Sequence, residues 1–491
     1  MKFIINKCTR SLKLNMILNT IKSIMGILFP LITFPYASRI LGVENIGKYN
    51  FSSSVISYFV LVAGLGVSSY AIREGAKFRD DRKAISDFCG DMIAIEIISS
   101  VFSYFAFVIF LIIVNKFDNY TILLLILSAQ VLFKMIDIEW IYSIFEDYIF
   151  ITIRSICIQI VSLIALFLFV HSPNDLVTYT LLTTLSNVGM IMINWLFSKK
   201  YCKINFVRKR KLKRHLKPIL TLFAISIATT IFVNSDTTVL GFLSDDYHVG
   251  LYSVSVKVYT VVKTVLSSVI VVSIPRLSAL LGKRDMDEFN EVAGKIYKTL
   301  ITFIVPAITG ICILRKEIIL IISGSAYIEA ASSLIILAFA LLFSLGSWFW
   351  GHCILVPMGK ENIVFKATVA SAITNLVLNF VLIPFGAENA AAFTTVLAEA
   401  ISFLWSRKEA LKYVRKYDIT LLIIKVILGC VGLLVITLLI KSLELDMILS
   451  TIFITVFGGI IYFIVELVLK NELVLEFWIP VLKKLKSHQG K

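Results

Sequence analysis

The sequence predicts an all-α polytopic membrane protein with fourteen transmembrane helices. Hydrophobic residues make up 58% of the 491 residues and charged residues only 16%, and the mean hydropathy is +0.89. A soluble protein of this length needs more polar residues to cover its surface. Apolar stretches of about 20 residues, long enough to cross a hydrocarbon core of about 30 Å, recur along the whole chain. The alternating segments of about ten residues that are typical of a membrane β-barrel are absent.

Fourteen apolar segments have the length of a membrane-spanning helix, and each is bounded by a loop with polar or charged residues. The predicted spans are 15–37, 48–71, 90–114, 120–143, 150–170, 176–198, 218–242, 250–274, 297–314, 330–354, 363–385, 389–405, 419–440 and 447–469. The segment 389–405 is the weakest because it is short and carries Glu399. An even number of spans places both termini on the same side of the membrane.

The distribution of basic residues predicts that this side is the cytoplasm. Of the 48 Lys and Arg residues, the extracytoplasmic segments hold only Arg39, Lys48, Lys116, Arg315, Lys316 and Lys441. This asymmetry follows the positive-inside rule, and it explains the net charge of +16 without nucleic acid as a partner. The most basic loop, Lys199 to Lys217, has ten Lys or Arg residues. We expect it to fix the topology and to contact anionic lipids.

Catalysis, metal binding and ATP hydrolysis find no support in the sequence. The seven cysteines stand singly, without the spacing of a zinc site or a disulfide framework, and no cofactor is expected. No extramembrane segment exceeds about 25 residues and no GxxxxGK[ST] loop occurs. The basic N-terminus is expected to lead into an uncleaved anchor. We therefore expect a transporter rather than an enzyme, driven by a partner or by a gradient of substrate or ions.

A weak internal repeat predicts two lobes of six helices each. Gly47-Lys48-Tyr49 and Gly250-Leu251-Tyr252 each begin a span and are followed by serines. Because six is an even number, the second lobe enters the membrane from the same side as the first, which predicts a parallel repeat with a substrate site between the halves. The predicted domains are an N-lobe at 1–198, a basic loop at 199–217, a C-lobe at 218–405, and two further helices with a basic tail at 406–491.

Basic residues within or beside the spans are candidates for binding an anionic substrate. These candidates are Lys22, Arg39, Lys48, Lys257 and Lys263. Charges inside a membrane are costly and usually face a cavity or a partner, and a hydrated basic cavity with low-dielectric walls attracts anions. Lys22 and Lys263 come from different predicted lobes. We expect them to line a water-filled cavity, with interhelical ion pairs as the alternative.

Acidic residues in the spans leave other roles open. Glu96, Asp137, Asp236 and Glu399 are candidates for proton or cation coupling, or for ion pairing. Lys134 and Asp137 are three residues apart, a spacing at which side chains on a helix can pair. Charged residues near predicted cytoplasmic ends are expected to extend toward the membrane surface. These residues are Asp91, Arg154, Lys366, Lys425 and Glu466.

Two prolines occupy the outer half of the first predicted span. Pro30 and Pro35 each remove a backbone N–H donor and crowd the preceding turn, so the helix can kink there. We interpret the pair as a hinge, or alternatively as a fixed bend.

The stretch from Pro30 to Asp81 resembles the N-terminal region of Wzx-type oligosaccharide flippases. These flippases form part of the polysaccharide-transport branch of the MOP (MATE-like) exporter superfamily. The features that carry the resemblance are Pro35, Arg39-x-Leu41-Gly42, Gly47-x-Tyr49, Leu65-Gly66 and Tyr70-x-x-Arg73-Glu74. The stretches 145–155 and 356–384 and the predicted number of spans are similar to the same family, so the resemblance covers essentially the whole chain.

The resemblance implies a function in surface polysaccharide synthesis. Members of this family move an undecaprenyl-pyrophosphate-linked oligosaccharide from the inner to the outer leaflet of the bacterial cytoplasmic membrane. It implies alternating access between two lobes, coupling to H⁺ or Na⁺, and a downstream polysaccharide polymerase as a possible partner. A basic cavity would suit the pyrophosphate group of such a substrate.

Three other functions remain as alternatives. A lipid II flippase of the same superfamily would fit a basic cavity equally well. A MATE-type cation-coupled drug antiporter would normally have twelve spans and an acidic cavity. A non-transporting scaffold would not require charges at mid-membrane depth. A polysaccharide synthase would require a larger extramembrane domain.

Overall fold

The computed structural model describes residues 12–202 and 212–475, and these residues form helices joined by short turns. The α-helices are α1 Leu12–Leu41, α2 Val43–Gly64, α3 Val67–Gly75, α4 Arg82–Ile113, α5 Thr121–Phe133, α6 Glu139–Ile144, α7 Tyr148–Phe169, α8 Leu176–Phe197, α9 Lys213–Leu243, α10 Asp246–Gly282, α11 Met286–Ser323, α12 Ala330–Trp348, α13 Glu361–Ala410, α14 Thr420–Lys441 and α15 Met447–Val468. A π-helical segment, Phe349–Leu355, follows α12. The predicted all-α class is therefore confirmed for the described residues, which contain no strand.

Aspartate side chains define the starts of several helices. Asp81 accepts hydrogen bonds from the backbone N–H groups of Lys83 and Ala84 at the start of α4. Asp147, Asp285 and Asp446 cap α7, α11 and α15 in the same manner. Such caps satisfy backbone donors that have no partner within the helix, and they typically contribute about 1 kcal/mol each.

Two predicted spans are interrupted in the structure. The span predicted at 48–71 is divided between α2 and α3 by Leu65 and Gly66, which have φ values of +43° and +73°. The span predicted at 120–143 ends its α-helix at Phe133, continues as a 3₁₀ turn over Lys134–Ile136, and resumes at Glu139. Hydropathy did not reveal either break, because apolar residues surround both breaks.

Twelve helical segments of the described chain are long and apolar enough to cross a membrane. One of them, α13, has 50 residues and is divided by a non-helical residue, Ala387. An unbroken helix of that length would extend about 75 Å, far beyond a hydrocarbon core of about 30 Å. The predicted spans 363–385 and 389–405 lie on the two sides of this break. The span predicted at 297–314 lies in α11, which is not among the twelve.

The chain divides into two compact units, Met1–Gly250 and Leu251–Lys491, here called unit 1 and unit 2. In unit 1, α2 packs against α4, α5 and α9, while α1 packs against α7. A buried cluster joins α3, α4 and α6 through residues such as Tyr70, Phe88 and Trp140. In unit 2, α12 packs against α11 and α13, and α14 pairs with α15. The centre of the predicted basic loop, residues 203–211, lies outside the described residues.

Candidate functional site

A three-residue charge cluster in unit 1 joins helices that are distant in sequence. Lys22 of α1 donates from Nζ to Glu139 Oε1 at 2.9 Å. Arg154 of α7 donates from Nη2 to the other carboxylate oxygen, Oε2, at 2.6 Å. One carboxylate thus holds two cations, so this triad has an excess of one positive charge.

The triad is buried on one side and open on the other. The Arg154 side chain is 2% exposed, whereas those of Lys22 and Glu139 are 36% and 37% exposed. Arg154 also donates to the side-chain oxygen of Asn194 on α8. The hydroxyl of Tyr142 fixes this part of α8 by donating to the Asn194 carbonyl oxygen at 2.5 Å. The Arg154 guanidinium is therefore held in place by Asn194 of α8, while the Lys22 end of the triad remains accessible.

The break between α5 and α6 produces this geometry. Lys134 Nζ and Asp137 Oδ2 form an ion pair at 2.6 Å across the 3₁₀ turn, which confirms the predicted pairing. Gly64 on α2 leaves room for the Lys134 side chain, since a Cβ there would lie 2.9 Å from Lys134 Cε. Glu139 then begins the short helix α6, where it reaches Lys22 and Arg154.

Glu96 is buried beside this break without a hydrogen-bond partner among the described residues. It is 0% exposed, and both of its carboxylate oxygens are unpaired. Lys134 and Asp137 lie near enough to interact with it electrostatically, and the indole of Trp140 faces it without reaching hydrogen-bond geometry. Burying an ionised carboxylate without a partner is costly. Glu96 is thus an unsatisfied acidic group inside unit 1.

In unit 2, Lys263 of α10 forms an ion pair with Glu399 of α13. Lys263 Nζ lies 2.9 Å from Glu399 Oε1 and 3.2 Å from the hydroxyl oxygen of Tyr259, one helical turn away. The Glu399 side chain is only 7% exposed and that of Lys263 is 25% exposed. The interhelical ion pair, which the sequence left as the alternative to a cavity, is therefore present for both Lys22 and Lys263.

The other predicted site residues lie in more varied surroundings. Arg39 is exposed at the last turn of α1. Lys48 is half-buried near Asp246, Asp236 is buried near Tyr58, and Lys257 is half-buried on α10. Pro30 and Pro35 both lie inside α1, which continues through them. The structure thus brings Lys263 together with Glu399 and Glu96 together with Asp137.

Sequence reasoning missed Glu139 and misplaced Arg154. Arg154 was expected to extend toward the membrane surface, and this expectation was wrong, since its side chain is buried against Glu139 and Asn194. The signal available in the sequence was Glu139 itself, a carboxylate inside the predicted span 120–143. Such a charge needs a basic partner, and Lys22 in the predicted span 15–37 is one candidate. No group of three His, Cys, Asp or Glu residues among the described residues is arranged to hold a metal ion.

A family profile described as "Polysaccharide biosynthesis protein" matches residues 12–281. This match extends over more than half of the chain. The chain belongs to the polysaccharide biosynthesis protein family. The family match includes the Lys22–Glu139–Arg154 triad and Lys263, whereas Glu399 lies beyond it.

Curated relatives of this polysaccharide biosynthesis protein are similar over most of their length. A "Putative O-antigen transporter" of Escherichia coli (strain K12) is 22% identical over 399 residues, covering 80% of this chain and 94% of the relative. The "Capsular polysaccharide biosynthesis protein CapF" of Staphylococcus aureus is 23% identical over 369 residues, covering 74% of this chain and 89% of the relative.

Solved structures with the same fold are membrane transporters. The lipid II flippase MurJ, in an inward closed conformation, has a TM-score of 0.75 at 18% identity and covers 93% of this chain and 100% of MurJ. An inward-facing multidrug-resistance MATE transporter of the MOP superfamily has a TM-score of 0.60 at 15% identity, covering 82% of this chain and 100% of the transporter. At these identities the likeness describes the fold of this polysaccharide biosynthesis protein.

Proposed function

We propose that this protein is a flippase that moves an undecaprenyl-pyrophosphate-linked oligosaccharide from the inner to the outer leaflet of a bacterial cytoplasmic membrane. The names of its relatives refer to O-antigen transport and capsular polysaccharide synthesis, and its fold is shared with a lipid II flippase. The observation that carries the proposal is the Lys22–Glu139–Arg154 triad, because a partly exposed site with excess positive charge suits a pyrophosphate.

The triad suggests how the headgroup would be bound. A pyrophosphate could replace Glu139 as the counter-ion of Lys22 and Arg154, using the fork geometry of the guanidinium and the point charge of the ammonium. Because Arg154 is already held by Asn194, little side-chain ordering would be needed. The oligosaccharide would follow the headgroup, while the lipid tail would remain in the bilayer.

The finer architecture is part of the same proposal. We place fourteen spans in the membrane by counting α11 and both parts of α13 as transmembrane, with both termini in the cytoplasm. The lobes would exchange access to the two sides, with α1 bending at Pro30 and Pro35. The support is that each predicted span lies largely in helix in the described residues, with two spans interrupted by short breaks, together with the distribution of basic residues.

Coupling to H⁺ or Na⁺ would most simply involve Glu96. Among the four acidic candidates, Glu399 and Asp137 already have lysine partners and Asp236 has an interaction of its own, whereas the Glu96 carboxylate has no hydrogen-bond partner among the described residues. A proton or a sodium ion would supply the missing partner. A polysaccharide polymerase would act on the product after translocation.

Deletion of the gene in its native host tests the proposal. The expected result is accumulation of polyprenyl-linked oligosaccharide on the inner leaflet, with loss of surface polysaccharide. Complementation with Lys22→Gln or Arg154→Gln should fail, whereas the control Arg79→Gln, which removes an exposed arginine paired with Glu146, should restore transport. Unchanged glycan lipids with loss of cell-wall synthesis would indicate a lipid II flippase. Unchanged glycan lipids with new sensitivity to cationic dyes would indicate a drug antiporter.

A further inference from the structure

Unit 2 contains an apolar slot between four helices. The slot has a volume of about 310 Å³, and its walls come from α11, α12, the second half of α13, and α14. Its floor is buried, for example at Leu300 and Ile304, which are 2% exposed. Its rim is open, since Leu342, Ile423 and Ile427 are 39%, 38% and 52% exposed. A slot with an apolar floor and an open apolar rim on transmembrane helices has the properties of a lipid-chain site.

A polar pocket of about 250 Å³ continues this slot at one end. The two cavities share Tyr297 and Ile419. Arg407, in the last turn of α13, and Lys416, in the connection between α13 and α14, both line the polar pocket. A wider groove of about 1060 Å³ shares Lys416 and Asp418 with the pocket. The cavities thus pass in order from the apolar slot to the cationic pocket and then to a wide groove whose described lining has six carboxylates and four cations.

The charge of the polar pocket is net positive. Among the described residues, Asp418 is its only acidic lining residue. The backbone N–H of Thr420 donates to this carboxylate at 3.0 Å, and this hydrogen bond holds the pKa of Asp418 below its usual range. Asp418 is therefore ionised at neutral pH and offsets one of the two cations. The remaining positive charge favours an anionic headgroup over a zwitterionic one.

We infer that this slot and pocket bind one anionic phospholipid of the leaflet that lies beside the basic last turn of α13. One acyl chain would occupy the slot lined by Ile304 and Ile427, and the phosphate would lie between Arg407 and Lys416. The lipid would fill the space between α11 and α14 and hold the connection between α13 and α14 in place. The site lies wholly in unit 2 and includes none of Lys22, Arg154 or Lys263. The inference therefore does not depend on the proposed transport function.

The test is lipid binding to the full-length protein in detergent, followed by native mass spectrometry. Dioleoyl phosphatidylglycerol is the probe and dioleoyl phosphatidylcholine the zwitterionic comparison. Each basic residue near an anionic lipid contributes about 1 kcal/mol, so Arg407→Gln with Lys416→Gln should weaken phosphatidylglycerol binding about thirtyfold. The matched control is Lys408→Gln with Lys283→Gln, which removes the same charge from exposed positions outside the pocket and should leave binding unchanged.

A second pair of variants tests the slot without altering charge. Ile427→Trp places a large ring at the rim of the slot and should weaken binding of phosphatidylglycerol. Leu428→Trp, one residue along α14 and outside the slot, should not. This pair keeps the test decisive if the double charge variant fails to fold.

Four results would overturn the inference. If the Arg407→Gln, Lys416→Gln variant bound phosphatidylglycerol with wild-type affinity, these residues would not form a headgroup site. An equal loss of affinity in the Lys408→Gln, Lys283→Gln control would indicate binding by diffuse surface charge. Competition by glycerol phosphate would indicate a site for free phosphate rather than for a lipid. Displacement of phosphatidylglycerol by a lower concentration of undecaprenyl phosphate would assign the site to the carrier lipid.

Discussion

Gly47 and Gly250 make reciprocal backbone contacts at the edge of unit 1. A Cβ at Gly47 would lie 1.8 Å from the carbonyl oxygen of Asp246, and a Cβ at Gly250 would lie 2.2 Å from the carbonyl oxygen of Val43. Each glycine begins one copy of the repeated Gly-x-Tyr sequence. The repeat therefore has a physical reason. The starts of α2 and α10 can approach each other this closely only if neither carries a side chain at the glycine position.

Alanine at either glycine should destabilise the protein. A methyl group would overlap a backbone carbonyl, which cannot move as a flexible side chain can, so we expect Gly47→Ala and Gly250→Ala each to cost at least about 1–3 kcal/mol. The measurement is thermal unfolding of the purified protein in detergent. The control is Gly310→Ala in α11, where nothing lies within 4 Å of the new Cβ and a small gain is expected. Equal effects at all three positions would contradict the close approach.

Glu139→Gln should strongly destabilise unit 1. The substitution leaves the buried Arg154 without its carboxylate, and removing one partner of a buried ion pair typically costs about 3–5 kcal/mol. Because Glu139 is partly exposed, we expect a value at the lower end. The matched control is Glu146→Gln, which breaks an exposed pair with Arg79 and should cost less than about 1 kcal/mol. If both variants unfolded at the same temperature, the triad would not be formed in the membrane protein.

Lys263 and Glu399 should tolerate an exchange of charge better than the loss of either charge. Lys263→Gln leaves the buried Glu399 carboxylate without its cation, and Glu399→Gln leaves the partly exposed Lys263 without its anion. The Lys263 change should reduce stability by roughly 3 kcal/mol and the Glu399 change by less. The double variant Lys263→Glu with Glu399→Lys should recover part of this loss. A double-mutant cycle of unfolding temperatures measures the coupling. Additive effects would show that the pair contributes no coupling energy.

Glu96→Gln should reduce the stability of the folded protein much less than Glu139→Gln does. The Glu96 carboxylate has no hydrogen-bond partner to lose among the described residues, and the amide has nearly the same volume. If Glu96 carries the coupling proton, the variant should also lose the dependence of lipid translocation on a proton gradient. The readout is translocation of polyprenyl-linked oligosaccharide in proteoliposomes with and without a pH difference. A fully retained response to that difference would exclude Glu96 as the coupling residue.

The all-α class of the described residues followed from hydropathy, and twelve helical segments among them are long and apolar enough to cross a membrane. A run of about 20 apolar residues has few alternatives to a membrane helix. The breaks at Leu65–Gly66 and Lys134–Ile138 did not follow, because backbone conformation there is set by packing rather than by hydropathy. For example, the Lys134 side chain lies against Gly64, a contact between two predicted spans that only a three-dimensional structure reveals.

The candidate site was predictable in its residue types but not in its pairings. Membrane energetics identified Lys22, Lys263, Glu96 and Glu399 as costly positions. Which anion meets which cation depends on helix packing, and Lys22 and Glu139 are 117 residues apart in the sequence. Ion pairs, which the sequence left as the alternative to a cavity, are present for both lysines, since a carboxylate on a neighbouring helix reaches each ammonium group directly.

The pairing of charges within single units has an energetic consequence for movement. Lys22 and Arg154 have their carboxylate in unit 1, and Lys263 has its own in unit 2. If the two units rotate or separate during a working cycle, none of these ion pairs has to break for the units to move. The barrier to the movement of the units themselves then includes no charge separation from these residues.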